Sequence, residues 1–75
     1  MKERVRLAEC VLYHRHLLGE TQETFAEGCG LSVEIISLIE RASTNPTLGY
    51  IVKISDHIGV SLSDMFKFET TYMLK

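Results

Sequence analysis

A chain of 75 residues makes one domain, and a domain of this size buries only about 60% of the surface that its unfolded form exposes, so a second subunit would add stability. With 45% hydrophobic and 24% charged residues and a single proline, the composition excludes a disordered chain, and the absence of an apolar run of about 20 residues excludes a membrane span. The net charge of −2 argues against a protein that coats nucleic acid through general electrostatic attraction.

Turn signals divide the chain into five predicted helices. A glycine past a helix end adopts the left-handed conformation without a steric penalty, and a Ser or Thr after it can cap the next helix. Three junctions have this form: Gly19 before Thr21, Gly30 before Ser32, and Gly59 before Ser61. At a fourth junction Asn45-Pro46 stands before Thr47 in place of a glycine. At the last junction, Ser61 and Asp64 also resemble a capping box.

The first predicted helix carries an apolar arc with one charge inside it. When the residues are placed at intervals of 100° around a helix, six apolar residues fall on one side: Leu7, Ala8, Cys10, Val11, Leu17 and Leu18. Arg15 falls within the same arc. Because an inward-pointing charge usually has a partner, we expect one for this arginine.

The second and third segments predict two short helices joined by a tight turn. The second, Thr21 to Cys29, offers Phe25, Ala26 and Cys29 to the core, and residues 30–32 connect it to the third. The third has two distinct faces: Ile35, Ile36 and Ile39 share one arc, while Val33, Glu34, Ser37 and Leu38 share the opposite one. A Gly-containing turn between two such helices is typical of a helix-turn-helix unit.

The fourth segment predicts an amphipathic helix, and the end of the chain is rich in large apolar residues. On one side of the fourth helix lie Leu48, Ile51, Val52, Ile54, Ser55 and Ile58, and on the other lie Gly49, Lys53, Asp56 and His57. The last residues include Leu62, Met65, Phe66, Phe68, Tyr72, Met73 and Leu74. One small domain can hardly bury all of them.

Between about Val11 and Phe66 a set of short motifs occurs in a fixed order: Arg15; Gly19-x-Thr21-Gln22-Glu23-x-Phe25-Ala26; Gly30-Leu31-Ser32; Ile36-Ser37-x-Ile39-Glu40-Arg41; Asn45-Pro46-Thr47-Leu48; and Gly59-Val60-Ser61-Leu62-Ser63-Asp64-Met65-Phe66. With these motifs the chain resembles the Cro/CI-type (XRE) helix-turn-helix family of phage repressors and small bacterial regulators. The resemblance implies an all-α fold, a compact five-helix bundle like that of lambda repressor. We expect the DNA-binding domain to span residues 1–68 and a short C-terminal tail to span 69–75.

The resemblance also implies how the chain would contact double-stranded DNA. The third helix matches the recognition helix, so the expected base-reading residues are Ser32, Val33, Glu34, Ser37 and Leu38. The expected contacts to the DNA backbone come from Thr21, Gln22, Arg41, Ser43 and Asn45. The base-reading face departs from the common family pattern, because it carries the apolar residues Val33 and Leu38 and the acidic residue Glu34. For Gln22 the alternative is an ordinary solvated surface glutamine.

The same resemblance implies two structural roles. Arg15 and Glu40 match positions that pair in related repressors, so we expect a largely buried ion pair. Ala26 matches the small residue that lets the two helices approach.

Family dimers often pair through the fifth helix and the residues after it. The expected homodimer interface therefore includes Leu62, Met65, Phe66, Phe68 and Tyr72, unless the tail folds back onto its own core.

Several alternatives stay open at this point. The leading cations Lys2, Arg4 and Arg6 form either an arm that contacts DNA or a solvated helix start. The outer face of the third helix reads an operator, or it makes the domain a protein-interaction module that keeps the fold without binding DNA.

Other classes of site have weaker support in the sequence. Cys10 and His14 share a helix face, but two further metal ligands are not evident, and both cysteines are expected to be buried reduced thiols. No motif indicates catalysis, a cofactor or a small-molecule ligand. Residues 1–6 are charged with no apolar segment behind them, so we expect a cytoplasmic, non-membrane regulator.

Overall fold

The computed structural model describes residues 2–66, and it describes side chains from residue 4 onward. Within that range the chain is a bundle of five helices: α1 Lys2–Leu18, α2 Gln22–Cys29, α3 Val33–Glu40, α4 Leu48–Ile58 and α5 Leu62–Phe66. The predicted all-α, five-helix fold is therefore confirmed. The expected C-terminal tail at 69–75 lies outside the described residues.

The helix boundaries fall where the turn signals predict them. Gly19, Gly30 and Gly59 have φ angles of 70°, 74° and 72°, a region that glycine enters without a Cβ penalty. The hydroxyl groups of Thr21, Ser32 and Thr47 each accept the backbone N–H three residues later, which caps α2, α3 and α4. Ser61 accepts the backbone N–H of Asp64 in the same way at the start of α5.

The end of α3 has a different pattern. Arg41 is its C-terminal cap residue, and the next residue, Ala42, has a φ angle of 55°. The N–H groups of Ala42 and Ser43 bond to the carbonyls of Ile39 and Leu38, so the loop folds back on the last turn of the helix. An alanine in the left-handed region gives no sequence signal, which is why this turn is not predicted.

The core is formed by side chains from all five helices. Val11, Phe25, Ile36, Ile54 and Met65 are each 0% exposed and come from α1, α2, α3, α4 and α5 in that order. Full burial of an aliphatic or aromatic side chain of this size contributes about 1.5–3 kcal/mol. α3 packs between α1 and α2, and α4 packs against α2 and α5. This packing fixes the orientation of α3 relative to the rest of the domain.

Two of the predicted apolar arcs are wider than the surface that the fold covers. Leu17 and Leu18 at the end of α1 are 64% and 50% exposed, and Leu48 at the start of α4 is 66% exposed. Val52, one turn later on α4, is 38% exposed. These four side chains share the apolar arcs but lie outside the core, because the five described helices of so small a domain do not cover these positions.

Both cysteines are buried and carry free thiols, in agreement with the prediction. Burial raises the pKa of Cys10 to about 11. Burial, with a smaller contribution from the negative charge of Glu20, raises the pKa of Cys29 to about 11 as well. Both thiols therefore stay protonated at neutral pH. Among residues 2–66, no helix has the length and hydropathy that crossing a membrane requires.

Candidate nucleic-acid interface

The candidate interface is built on α2 and α3, which pack directly against each other. Ala26 of α2 is 2% exposed, so its small side chain lies within the packed layer. A left-handed Gly30 and the capping hydroxyl of Ser32 define the turn between the two helices. This arrangement is a helix-turn-helix unit whose second helix is anchored in the core on one side.

The outer face of α3 is accessible along its length. Ile36 and Ile39 are buried on the inner face, whereas Ser32, Val33 and Glu34 are exposed. Ser37 and Leu38 are partly buried. The five residues expected to read bases therefore all present some surface to solvent. The Ser32 hydroxyl also accepts the N–H of Ile35 at 3.2 Å, which leaves its own O–H as a donor.

Charge on this surface is sparse. Glu34 places a carboxylate near the N-terminus of α3, and the basic residue that comes after the helix is Arg41 at its C-terminal end. Arg41 is exposed, and its Nε donates to the carbonyl of Ser37 at 3.3 Å. That bond aligns the guanidinium along the outer edge of α3 and leaves its Nη groups as donors.

The residues expected to contact the DNA backbone lie at the ends of α2 and α3. Thr21 caps α2 and is engaged with Thr24, while Gln22 begins α2 and donates from Nε2 to Glu40 Oε1 at 2.8 Å. Ser43 and Asn45 are exposed in the loop before α4, and the Ser43 hydroxyl donates to the carbonyl of Arg41 at 3.4 Å. The interpretation of Gln22 as a freely solvated side chain does not fit this geometry.

The Arg15 side chain lies against Glu40 and the loop before α2. Its Nε donates to Glu40 Oε2 at 2.6 Å and its Nη2 donates to Glu40 Oε1 at 3.2 Å. Its Nη1 donates to the carbonyl of Glu20 at 3.0 Å. The side chains of Arg15 and Glu40 are 14% and 4% exposed, so this is a two-pronged charge pair almost out of contact with water.

A second polar cluster has no counterpart among the sequence predictions. His57 Nε2 and Glu20 Oε1 are joined by a hydrogen bond of 2.9 Å, and the rings of His57 and Phe25 make a T-shaped contact with centroids 5.1 Å apart. A Cβ added to Gly28 would overlap the same ring. Helical periodicity puts His57 on the polar face of α4, and nothing in the sequence connects it to Glu20 of the loop before α2. The cluster joins α4 to the helix-turn-helix unit.

The N-terminal cations lie on a helix. Because α1 begins at Lys2, these residues form the start of a helix and do not form a separate DNA-binding arm. Arg4 lines a cavity of about 150 Å³, together with Leu7, Asn45, Pro46, Ile51 and Phe66. Arg6 Nη1 lies 3.5 Å from the carbonyl of Phe66. These contacts turn both arginines toward the fold's own surfaces.

One residue expected in the dimer interface is excluded from it. Met65 is 0% exposed because α5 packs against α1 and α4 and directs this side chain into the core. The expectation for Met65 is wrong, since a fully buried side chain has no surface to offer a partner. Leu62 and Phe66 are partly buried and keep some accessible surface. Phe68 and Tyr72 lie outside the described residues.

The histidine and cysteine of α1 do not assemble a metal site in the part of the chain that the structure describes. Cys10 is 0% exposed, and burial lowers the pKa of the partly buried His14 below its ordinary value. Among residues 2–66 no three side chains of the His, Cys, Asp or Glu type are grouped to hold a metal ion.

A family model described as helix-turn-helix matches residues 15–65, which covers α2 to α4 completely. The chain belongs to the XRE-type helix-turn-helix family. Proteins of this family are DNA-binding transcriptional regulators rather than enzymes. The resemblance seen in the sequence is therefore confirmed.

Relatives of known sequence carry the same description. An uncharacterized HTH-type transcriptional regulator of Methanocaldococcus jannaschii is 37% identical over 57 residues, which cover 76% of this chain and 86% of the relative. The uncharacterized HTH-type transcriptional regulator YazB of Bacillus subtilis is 37% identical over 51 residues, covering 68% of this chain and 74% of YazB.

Two solved structures share the fold of this helix-turn-helix protein. The hypothetical transcription factor NHTF from Neisseria superimposes with a TM-score of 0.81 at 29% identity, covering 96% of this chain and 82% of NHTF. A point mutant of the restriction-modification controller protein C.Esp1396I superimposes with a TM-score of 0.77 at 29% identity, covering 96% of this chain and 91% of the controller.

Proposed function

We propose that this helix-turn-helix protein regulates transcription by binding a palindromic operator as a homodimer. The observation that carries the proposal is the outer face of α3, where Ser32, Val33 and Glu34 are exposed while Ile36 and Ile39 hold the opposite face in the core. A helix fixed in this way can enter the major groove without rearrangement of the domain.

The chemistry of that face defines the bases it would read. Val33 and Leu38 offer apolar contacts suited to the methyl group of thymine, and Glu34 accepts a hydrogen bond from cytosine N4. The hydroxyls of Ser32 and Ser37 can donate to acceptors on either purine. Because no Arg, Lys, Asn or Gln stands on this face to make a bidentate base contact, specificity depends on several weaker contacts acting together.

Contacts to phosphate would orient the reading helix. Thr21 and Gln22 stand at the N-terminus of α2, where unpaired backbone N–H groups favour an anion, and Arg41, Ser43 and Asn45 come after α3. Only one of these five side chains is cationic, so each subunit neutralises few phosphates. The operator affinity should therefore depend only weakly on salt compared with that of a strongly basic DNA-binding protein.

A homodimer would double these few contacts and present two recognition helices about one turn of DNA apart. Leu62 and Phe66 keep accessible surface at the end of the described chain, and Phe68 and Tyr72 come after them in the sequence. We assign the interface to these four residues. Sedimentation at micromolar concentration tests the assignment, because a monomer under those conditions contradicts it.

The likeness to a restriction-modification controller supports a transcriptional regulator of that kind. A phage-type repressor and an antitoxin-like autoregulator are the other forms of the same proposal. In a cell without a nucleus the DNA that such a protein binds lies in the cytoplasm, and we place the protein there.

Selection from a pool of random duplexes at about 100 mM salt tests the proposal. Enrichment of a palindrome with half-sites about ten base pairs apart supports a dimeric operator-binding regulator. The exposed valine and the carboxylate on α3 would equally suit a protein partner. Weak binding that disappears at moderate salt, without enrichment of any sequence, would favour that protein-interaction module instead.

A further inference from the structure

One nearly buried carboxylate connects three helices of the domain. Glu40 at the end of α3 accepts two hydrogen bonds from Arg15 of α1 and one from Gln22 of α2. The Gln22 bond, from Nε2 to Oε1, is 2.8 Å long, and the Glu40 side chain is 4% exposed. Arg15 already satisfies the charge of this carboxylate, so neutralisation does not account for the contact with Gln22.

The contact removes the conformational freedom of the first side chain of α2. A free glutamine on a helix surface samples several rotamers, and fixing them during binding costs free energy. The amide nitrogen of Gln22 carries two hydrogens, and Glu40 accepts one of them. The second hydrogen remains available beside the unpaired backbone N–H groups at the start of α2.

We propose that Glu40 is a positioning residue for DNA binding: it holds the Gln22 amide so that its second N–H, with the backbone amides at the N-terminus of α2, donates to a DNA phosphate. This inference rests on the proposed operator binding. Arg15 completes the arrangement, because its positive charge lies against Glu40 and offsets the repulsion between that carboxylate and the phosphate. Its third bond, to the carbonyl of Glu20, fixes the loop that leads into α2.

A double-mutant cycle on the operator found by selection tests the proposal. Arg15→Met and Glu40→Leu together replace the ion pair with apolar residues of similar size, an exchange that folded proteins often tolerate. The exchange removes one positive and one negative charge and leaves the net charge unchanged. Gln22→Ala is then introduced both into this background and into the unaltered protein, and operator affinity is measured for all four proteins.

We expect Gln22→Ala alone to weaken operator binding by about tenfold per half-site, the factor of one lost hydrogen bond to a charged group. The Arg15→Met/Glu40→Leu protein should lose a similar factor, and adding Gln22→Ala to it should change affinity by less than about twofold, because the glutamine is no longer held in place. Unaltered affinity of the Met/Leu protein, or a full tenfold effect of Gln22→Ala in both backgrounds, overturns the proposal. Failure of the unaltered protein to select any operator instead overturns the proposed function, and this inference with it.

Side-chain amide NMR of the unaltered protein gives a second test that does not depend on the folding of the variants. The two Nε2 protons of Gln22 should be distinct in the free protein. On operator binding, the proton directed at Glu40 should keep its chemical shift while the other moves. A shift of the Glu40-bound proton to the position of a free amide on operator binding would show that DNA breaks the contact, which contradicts a positioning role.

Discussion

Gly28 of α2 lies against the imidazole ring of His57 on α4. This contact predicts that Gly28→Ala destabilises the protein when His57 is present and stabilises it when His57 is replaced by alanine. A Cβ at position 28 would come within 3 Å of three ring atoms, so the ring must move to accommodate it. The ring is also held by the 2.9 Å hydrogen bond to Glu20 and by its T-shaped contact with the Phe25 ring. Gly28→Ala therefore displaces a side chain that has two other contacts to lose.

The magnitude is the sum of three contributions of opposing sign. Alanine in place of a helical glycine gains about 0.5–1 kcal/mol. Overpacking against the ring costs about 1–3 kcal/mol, and losing the hydrogen bond to Glu20 costs about 0.5–1.5 kcal/mol. We expect a net loss of about 1–3 kcal/mol in the free energy of unfolding. In a protein that already carries His57→Ala, the overlap is gone, and the same Gly28→Ala change should stabilise by about 0.5–1 kcal/mol.

Urea unfolding of the four proteins in this cycle, monitored by circular dichroism, measures both effects. The expected coupling between positions 28 and 57 is about 1.5–4 kcal/mol, well above the additivity error for distant sites. Destabilisation of equal size in both backgrounds would refute the reasoning, because it would place the cost of Gly28→Ala somewhere other than the His57 ring.

Three further predictions concern the stability of the same fold. Arg15→Met, with Glu40 left in place, should cost about 3–5 kcal/mol in thermal unfolding, because it strands a nearly buried carboxylate; stability equal to that of the unaltered protein would show that the pair is not required. Ser32→Ala removes the cap of α3 and should cost about 1 kcal/mol in urea unfolding, and an unchanged midpoint would contradict that role. Burial raises the pKa values of the Cys10 and Cys29 thiols to about 11, so these thiols keep their protons in the folded chain at a pH where the unfolded chain, from about pH 9, loses them. The free energy of unfolding, measured in reductant, should therefore fall between about pH 9 and 11. A flat profile would contradict the burial of the two thiols.

The parts of the fold that the sequence predicts well are those governed by local chemistry. Left-handed glycines such as Gly19, with capping hydroxyls such as Thr21 after them, mark helix boundaries because both effects act within a few residues. The two faces of α3 are equally clear, since Ile36 and Ile39 are buried while Val33 on the opposite arc is exposed. A pattern confined to one helix is sufficient for these features.

Features that depend on which elements meet could not be predicted in the same way. Helical periodicity puts Leu48 on the apolar side of α4, yet it is 66% exposed. The bond between His57 and Glu20 joins polar residues far apart in the chain. The sequence has more large apolar residues near its end than one small core can hold, which leads to Met65 being expected in the dimer interface. Met65 is instead buried in the core. Each of these outcomes depends on the three-dimensional arrangement of helices, which a single-helix pattern does not contain.

The role of α3 as the reading helix is tested most directly by repeating the random-duplex selection with single alanine variants. Val33→Ala changes a valine on the outer face of α3 that is 37% exposed, and Val52→Ala, the matched control, changes a valine on α4 that is 38% exposed. We expect Val33→Ala to enrich a sequence that differs from the original at one base pair in each half-site, because the apolar contact to a thymine methyl group is lost, while Val52→Ala enriches the original sequence. Enrichment of the original operator by both variants, with equal affinity, would contradict a reading role for α3.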